Sequence, residues 1–304
     1  MKLAVPDMVS NSYFPALAAI ELGCFQEEGL DVELELIFPP NKAYEALRDG
    51  EVDLVAASAH AALSAFPGWK GVKLICAQAR GMYWFLVLHR DLAAKRGEIE
   101  AIKGRSIGAA PWVELGLRRL LAEAGLDPER DDIRIAPVPK LPADPSLNFG
   151  VSAARALKER RIDGFWANGM AAEVAVRESD GTVVLDIRRG DGPAAAFHYT
   201  FASIAATDRA LTGNPGLAGA VERAIRRTHA LLRDDLTLAT KVGRKLFPAA
   251  EAELIAELIR RDLPFYDSSI SQDDVTGLNR FAREMGLPSG EPAYRDVVAS
   301  GDGR

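Results

Sequence analysis

The sequence predicts an α/β protein of two lobes, each built on a mixed, mostly parallel sheet flanked by helices. Three observations carry this: a strand–helix pattern that occurs twice, two β-prone runs that bracket the second occurrence, and a purely helical stretch after Thr207. The 304 residues suffice for two domains of ordinary size, and 48% of them are hydrophobic, enough to fill two cores.

The duplication comes first in the chain. Ala43-Tyr-Glu-Ala-Leu-Arg-Asp-Gly-Glu-Val-Asp53 matches Ala153-Ala-Arg-Ala-Leu-Lys-Glu-Arg-Arg-Ile-Asp163 at an offset of 110, with four of eleven positions identical. Upstream of each copy lies a short strand (Lys2 to Val5, Ser106 to Ala109) and a helix ending at Gly-Leu-Asp (Gly29 to Asp31, Gly125 to Asp127). An apolar alternating strand follows each Gly-Leu-Asp, Val32 to Phe38 and Ile133 to Val138. One match arises by chance easily; the same ordered set twice does not. Strands alternating with helices of ten or more residues require right-handed crossovers and a largely parallel sheet. Ala-x-x-Ala-Leu sets apolar residues at i, i+3 and i+4, one face for packing on the sheet. Gly29 and Gly125 supply the left-handed stop. Asp53 and Asp163 sit at the turn into the next strand, where a short acceptor bonds free backbone N–H groups.

The run Gly81-Met-Tyr-Trp-Phe-Leu-Val-Leu-His89 and the run Ala196-Phe-His-Tyr-Thr-Phe-Ala-Ser-Ile204 are both β-prone and stand on either side of the second copy. They are what a chain needs to cross into a second lobe and return. Beyond Thr207 the spacing predicts only helices, over 215–233, 236–246, 249–261 and 272–285. The expected division is therefore lobe one at 1–85 and 203–304 and lobe two at 88–198, with hinge crossovers near 83–90 and 196–204.

Composition narrows the function. A net charge of −6 with no basic stripe argues against a nucleic-acid partner, and no apolar stretch approaches the ~20 residues of a membrane span. Met1-Lys2 runs at once into Leu-Ala-Val-Pro-Asp with no apolar signal region, so the expected compartment is the cytoplasm, with the periplasm as the alternative. Cys24 and Cys76 form no disulfide framework and read as buried thiols.

The motifs together resemble a known family. Glu21-Leu-Gly-Cys-Phe-Gln-Glu-Glu-Gly-Leu-Asp-Val32 is similar to the A-x-x-x-G-x-F-x-x-x-G-L-x-V segment of SsuA/THI5-like (NMT1/THI5-like) solute-binding proteins. Glu45-Ala-Leu-Arg-Asp-Gly-Glu-Val-Asp53 looks like that family's A-L-x-x-G-x-V/I-D signature. Lys103-Gly-Arg-Ser-Ile-Gly108 and Pro292-Ala-Tyr-Arg-Asp-Val-Val298 also fit. The resemblance spans nearly the whole chain and implies a type II periplasmic-binding-protein-like fold that closes around a small molecule, with an ABC transporter permease as candidate partner. Where many members carry a Ser/Thr/Gly-rich anion loop, this chain reads Ala109-Ala-Pro-Trp-Val113, which argues against a simple sulfonate or nitrate ligand.

In open α/β sheets ligands sit outside the carboxyl ends of the strands. That rule selects Ser10, Asn11, Tyr13 and Phe14 after the first strand, Asn41 and Lys42 after the second, Ser58 and His60 after the third, and Arg80 and Tyr83 further on. In the second lobe it selects Trp112, Asn148, Trp166 and Asn168, with His198 in the returning run. The loops are rich in aromatic rings, which suits a flat aromatic or heteroaromatic ligand, pyrimidine-like or an aromatic acid. The same rings also serve as core packing, and Trp84, inside a strand run, is the first candidate for that role. Arg80 and Lys42 are the candidate partners of an acid group. His60 and His198 admit an acid–base pair, although histidines satisfied within the fold are the commoner outcome. No zinc spacing, nucleophile elbow or phosphate loop is present, so no cofactor or metal is expected. The expected function is a solute-binding protein for uptake or sensing. The alternative is a cytoplasmic enzyme on the same scaffold: a decarboxylase, dehydratase or pyrimidine-synthase-like protein acting on a small aromatic substrate.

Overall fold

The computed structural model describes residues 1–138 and 149–299. In chain order the first elements are β1 (Lys2–Val5), α1 (Phe14–Glu21), α2 (Cys24–Glu27), β2 (Glu33–Leu36), α3 (Pro40–Asp49), β3 (Leu54–Ser58) and β4 (Val72–Ala79). Next come β5 (Phe85–His89), β6 (Ser106–Ala109), α4 (Glu114–Glu123), β7 (Arg134–Ala136), α5 (Phe149–Lys158), β8 (Gly164–Ala167), α6 (Gly169–Glu178), β9 (Gly181–Asp186) and β10 (Ala202–Thr207). Helices complete the chain: α7 (Asp208–Gly213), α8 (Leu217–Asp234), α9 (Thr237–Leu246), α10 (Ala249–Asp262), α11 (Gln272–Glu284) and α12 (Tyr294–Val297).

The chain divides into two compact units. Unit 1 holds residues 1–8, 12–81 and 198 onward; unit 2 holds Val9–Asn11 and Met82–Phe197. The unit 1 sheet has the strand order β2-β1-β3-β10-β4, and the unit 2 sheet β7-β6-β8-β5-β9. In unit 1 the strands β1 to β4 share one direction and β10 opposes them. In unit 2 only β5 opposes the other four. Each sheet is thus mixed and mostly parallel. Helices α1, α2 and α9 pack with α8 within unit 1, and α8 lies on β4. No described helix is long and apolar enough to cross a membrane.

The duplicated residues do the same work in both units. Lys2 N–H donates to Asp53 Oδ2 at 2.7 Å while Asp53 N–H donates to the Lys2 carbonyl at 2.9 Å. In unit 2, Ser106 N–H donates to Asp163 Oδ2 at 2.8 Å and Asp163 N–H to the Ser106 carbonyl at 2.9 Å. Each aspartate therefore fastens the start of its unit's first parallel strand to the strand beside it, using donors that the ladder leaves open. Gly29 and Gly125 adopt φ of +76° and +71°, and the following Leu30 and Leu126 N–H groups each reach back to a helical carbonyl.

One member of the pair is strained. After α3 the left-handed position is Gly50 (φ +80°); after α5 it is Arg160 (φ +58°). The hydrogen bonds are alike: Glu51 N–H to Ala46 O and Arg161 N–H to Ala156 O, both 2.9 Å. A side chain in this region costs roughly 1 kcal/mol. Gly50→Ala is expected to lower stability by about 1 kcal/mol, and Arg160→Gly to raise it by up to about 1 kcal/mol, since the exposed Arg160–Asp91 ion pair contributes little. Urea midpoints check both, and equal shifts in the same direction would reject the explanation.

The two β-prone runs are strand over only part of their length. In the first, Gly81 turns at φ +76° and the strand begins at Phe85. In the second, Ala194–His198 forms a 3-10 turn and the strand begins at Ala202. The cause is α11: a Cβ at Gly277 would stand 2.4 Å from His198 Cβ and 2.8 Å from its carbonyl oxygen, so the run bends against the helix instead of extending.

Candidate functional site

In unit 1 the carboxyl ends of β1, β2, β3 and β4 share one edge. Ala202, at the start of β10, pairs with both Ser58 and Ala79, which sets the ends of β3 and β4 on either side of it. This edge is polar although it is interior: Ser12, Ser58, His60, Gln78, Thr200 and Ser203 are all buried. Buried polar groups are normally bonded. Gln78 follows the rule, accepting from Ala16 N–H at 3.2 Å and donating to the Ser203 carbonyl at 3.3 Å. So does His60, whose Nδ1 shares a 3.0 Å hydrogen bond with Thr200 Oγ1 while its ring edge meets Phe281. Ser58 does not: at 0% exposure its Oγ has no hydrogen-bond partner among the described residues.

The remaining predicted residues of unit 1 fall into two groups. Tyr13 and Phe14 are buried at the start of α1; Tyr13 caps it through its carbonyl, and Phe14 packs edge-on against Phe247 at 6.0 Å. The Phe14 ring thus packs within unit 1. Asn41, half-buried in the first turn of α3, donates to Glu45 Oε1 at 3.0 Å, and Lys42 pairs with Glu45 Oε2 at 2.5 Å. Arg80 Nη1 and Nε lie 3.9 Å from Asp267 and Asp274 respectively. Asp274 also receives His198 Nδ1 at 2.8 Å and the Ser271 hydroxyl at 2.6 Å. The two cations expected to meet an acid group, Arg80 and Lys42, thus face carboxylates of their own chain. His60 and His198 bond separate partners, Thr200 and Asp274.

Unit 2 repeats the arrangement. Phe85, opening β5, pairs with Ala167 and with Asp186, so the ends of β8 and β9 lie beside Tyr83 and Trp84. Trp84 meets Tyr83 at 5.1 Å and Trp166 at 6.1 Å between ring centres. Trp166 is fully buried and spends its indole N–H on the Val113 carbonyl at 3.0 Å. Trp166, expected as a ligand platform, is a core residue here, because the ring of Trp84 and the Ala110–Glu114 loop enclose it. Trp112 is different: it is only half-buried and is held at φ +71°, unusual for an aromatic residue. Two residues on, burial pushes the Glu114 carboxyl above its usual range.

The two asparagines cap a helix. Asn168 Oδ1 accepts from Ala171 N–H at 3.1 Å, and Asn11 Oδ1 accepts from Met170 N–H at 3.0 Å. Gly169 leaves room for Asn11, since a Cβ there would stand 2.9 Å from its Nδ2. With the Met170 and Ala171 N–H groups of α6 engaged, Asn11 Oδ1 and Asn168 Oδ1 hold the loop instead of offering these acceptors to a ligand. Ser10, beside Asn11, is likewise fully buried. Asn148 lies outside the described residues.

Sequence reasoning missed Arg188. It follows β9, is 4% exposed, and holds its guanidinium carbon 5.7 Å from the centre of the Tyr83 ring. The strand-end rule applied to the apolar run Val183–Leu185 would have found it. No group of three or more His, Cys, Asp or Glu suited to a metal occurs among the described residues. Burial pushes the Cys24 and Cys76 thiols up, the reverse of what a cysteine nucleophile needs.

A family model described as NMT1/THI5 like matches residues 10–235. The chain belongs to the NMT1/THI5-like family. No curated protein matches it at a significant level. Among solved structures, this family member is similar to a protein from Bordetella bronchiseptica RB50 (TM-score 0.79, 19% identity, covering 99% of this chain and 94% of that one). It is similar to the periplasmic aliphatic sulphonate binding protein SsuA from Escherichia coli (TM-score 0.71, 14% identity, 98% and 95% covered). A third is the ligand-binding component of an ABC-type import system from Staphylococcus aureus (TM-score 0.70, 12% identity, 98% and 95% covered). At these identities the likeness is one of fold: the NMT1/THI5-like chain has the periplasmic-binding-protein-like α/β fold.

Proposed function

We propose that this protein is a solute-binding component of an import system and that it captures a small planar, aromatic or heteroaromatic molecule. The single observation that carries the reading is Ser58: a fully buried hydroxyl without a partner among the described residues, at the carboxyl end of β3 in a mostly parallel sheet. An unmet buried hydroxyl costs about 1–3 kcal/mol, and a ligand acceptor placed against it removes that cost. The strained, half-buried Trp112 at the strand ends of unit 2 has the flat face on which an aromatic ring stacks. Ala109, Ala110 and Pro111 bring no side-chain donor, and Pro111 no N–H, which supports ring stacking over oxyanion capture at that loop. The import role and a periplasmic setting are carried over from the Staphylococcus import-system component and the periplasmic Escherichia protein, and a transporter permease is the partner such a role calls for.

The test is a thermal-shift and calorimetric screen of benzoate, benzamide, aminopyrimidines, ethanesulfonate and nitrate. Aromatic compounds are expected to raise the melting temperature. Ser58→Ala and Trp112→Ala are each expected to weaken them by about tenfold. Stabilisation by nitrate or ethanesulfonate alone, unaffected by Trp112→Ala, would sink the aromatic reading.

A further inference from the structure

We infer that Glu114 selects the ligand by its N–H groups, taking rings that carry a primary amide or amino group in their plane and turning away aromatic acids. This deepens the proposed function and rests on its aromatic ligand. Glu114 Oε2 is buried and has no hydrogen-bond partner among the described residues. Trp112 N–H bonds the same carboxyl, so the oxygen it engages is Oε1. Arg118, one turn further along α4, acts on the group only as a charge at a distance. A buried carboxyl oxygen with neither donor nor cation is uncommon in a folded chain, because removing it from water without either is costly. An N–H group brought by a ligand supplies what the chain withholds.

The surrounding backbone is pinned and does not relax to provide that donor. Trp112 turns the chain at φ +71°, the Val113 carbonyl accepts the Trp166 indole N–H at 3.0 Å, and Glu114 N–H donates to the Ala110 carbonyl at 3.0 Å. Two residues on, a Cβ at Gly116 would stand 2.9 Å from the Trp84 ring, so the start of α4 is pressed onto the core of unit 2. The free oxygen is thereby held in place before any ligand arrives. Ala109, Ala110 and Pro111 bring no side-chain donor to it. Its residue stands two positions from Trp112, whose ring is the stacking face. An amide or amino group conjugated to a stacked ring lies in the ring plane and points its hydrogens outward from the rim, toward such an acceptor. A carboxylate in the same place sets acceptor against acceptor and like charge against like.

The experiment titrates benzamide, its methyl isostere acetophenone, and benzoate into the full chain and its variants by calorimetry at about pH 8, where carboxyl groups are ionised. Wild type is expected to bind benzamide about tenfold more tightly than acetophenone, and benzoate more weakly than either. In Glu114→Gln the amide oxygen stays with Trp112 N–H and the amide nitrogen takes the place of Oε2. The order should then change: benzamide loses its advantage and benzoate gains about tenfold. Glu114→Met, with neither donor nor acceptor, should bind benzamide and acetophenone within about threefold of each other. Should one variant fail to fold, the other decides. Equal wild-type binding of benzamide and acetophenone overturns the inference, as does an unchanged preference in either variant. Loss of all three compounds from a folded variant also overturns it, because that marks Glu114 as a support for Trp112 only. Wild-type binding of benzoate alone sinks this inference and leaves the aromatic reading standing, whereas binding of none of the three defeats both.

Discussion

Gly164→Ala is expected to destabilise unit 2 by about 3 kcal/mol, the upper range for overpacking a core. Gly164 opens β8 between β6 and β5, pairing with Ile107 on one side and Leu88 on the other. A Cβ there would stand 2.3 Å from Leu88 Cδ2, 2.6 Å from the Val87 carbonyl oxygen and 3.2 Å from Ile107 Cδ1. Leu88 has other rotamers, but the Val87 carbonyl belongs to the β5 backbone and moves only at the expense of the ladder. The same position in the first copy, 110 residues earlier, is Leu54, fully buried beside β1. The two units therefore resolve one sequence position in opposite ways, according to the strand that lies alongside. Three of the four tryptophans (Trp84, Trp112 and Trp166) belong to unit 2, so urea unfolding followed by their fluorescence reports it. A midpoint equal to that of wild type would remove the explanation.

The second large effect concerns pH. His229, on α8, is 2% exposed; its Nε2–H donates to the Gln78 carbonyl at 2.9 Å, and its ring packs on Tyr266 at 4.7 Å. Burial pushes its pKa down to about 4, and only secondarily does the nearby Arg233 contribute. Above pH ~6.5 the imidazole is neutral in both the folded and unfolded chain, and no penalty arises. Between pH ~6.5 and about 4 the unfolded chain takes up a proton that the folded chain refuses, so stability falls as pH falls. Below about 4 both forms are protonated and the slope from this residue ends. The loss amounts to roughly 3 kcal/mol. His229→Gln, which keeps a donor toward Gln78, should flatten the decline between pH 6.5 and 5, before most carboxylates titrate. Parallel urea-midpoint profiles for the two proteins would contradict it. The consequence reaches the polar edge of unit 1, because the side chain of Gln78 holds Ala16 N–H and the Ser203 carbonyl there.

What was legible in the sequence was local or repeated. The left-handed stops at Gly29 and Gly125 and the turn aspartates Asp53 and Asp163 each express the intrinsic geometry of one residue type. A duplication then doubles the signal. The site residues behave differently, because their roles depend on neighbours remote in sequence. Asn11 looks like a ligand donor until Met170 is brought to it, 159 residues away. Trp166 looks like a platform until Val113 takes its indole N–H. Arg80 looks like an anion receptor until α11 delivers Asp274. Arg188 went unnoticed because a pair of arginines ordinarily marks a solvated surface, and only the pairing of β9 with β5 turns one of them inward.

The position of β10 bears on the order in which the chain assembles. It lies between β3 and β4, yet Ser203 of β10 follows Gln78 of β4 by 125 residues. During synthesis β4 thus waits for a neighbour that has not been made, and joining the two through a flexible loop of that length carries a substantial entropic cost. The intervening residues remove much of it. Once they fold, Met82 N–H donates to the Phe197 carbonyl at 3.0 Å, leaving the two ends of the inserted segment side by side. β4 and β10 then issue from adjacent points, and a search over more than a hundred residues becomes a meeting of near neighbours. The insertion works as a clamp on nascent chain, and the first sheet to begin is the last to be completed.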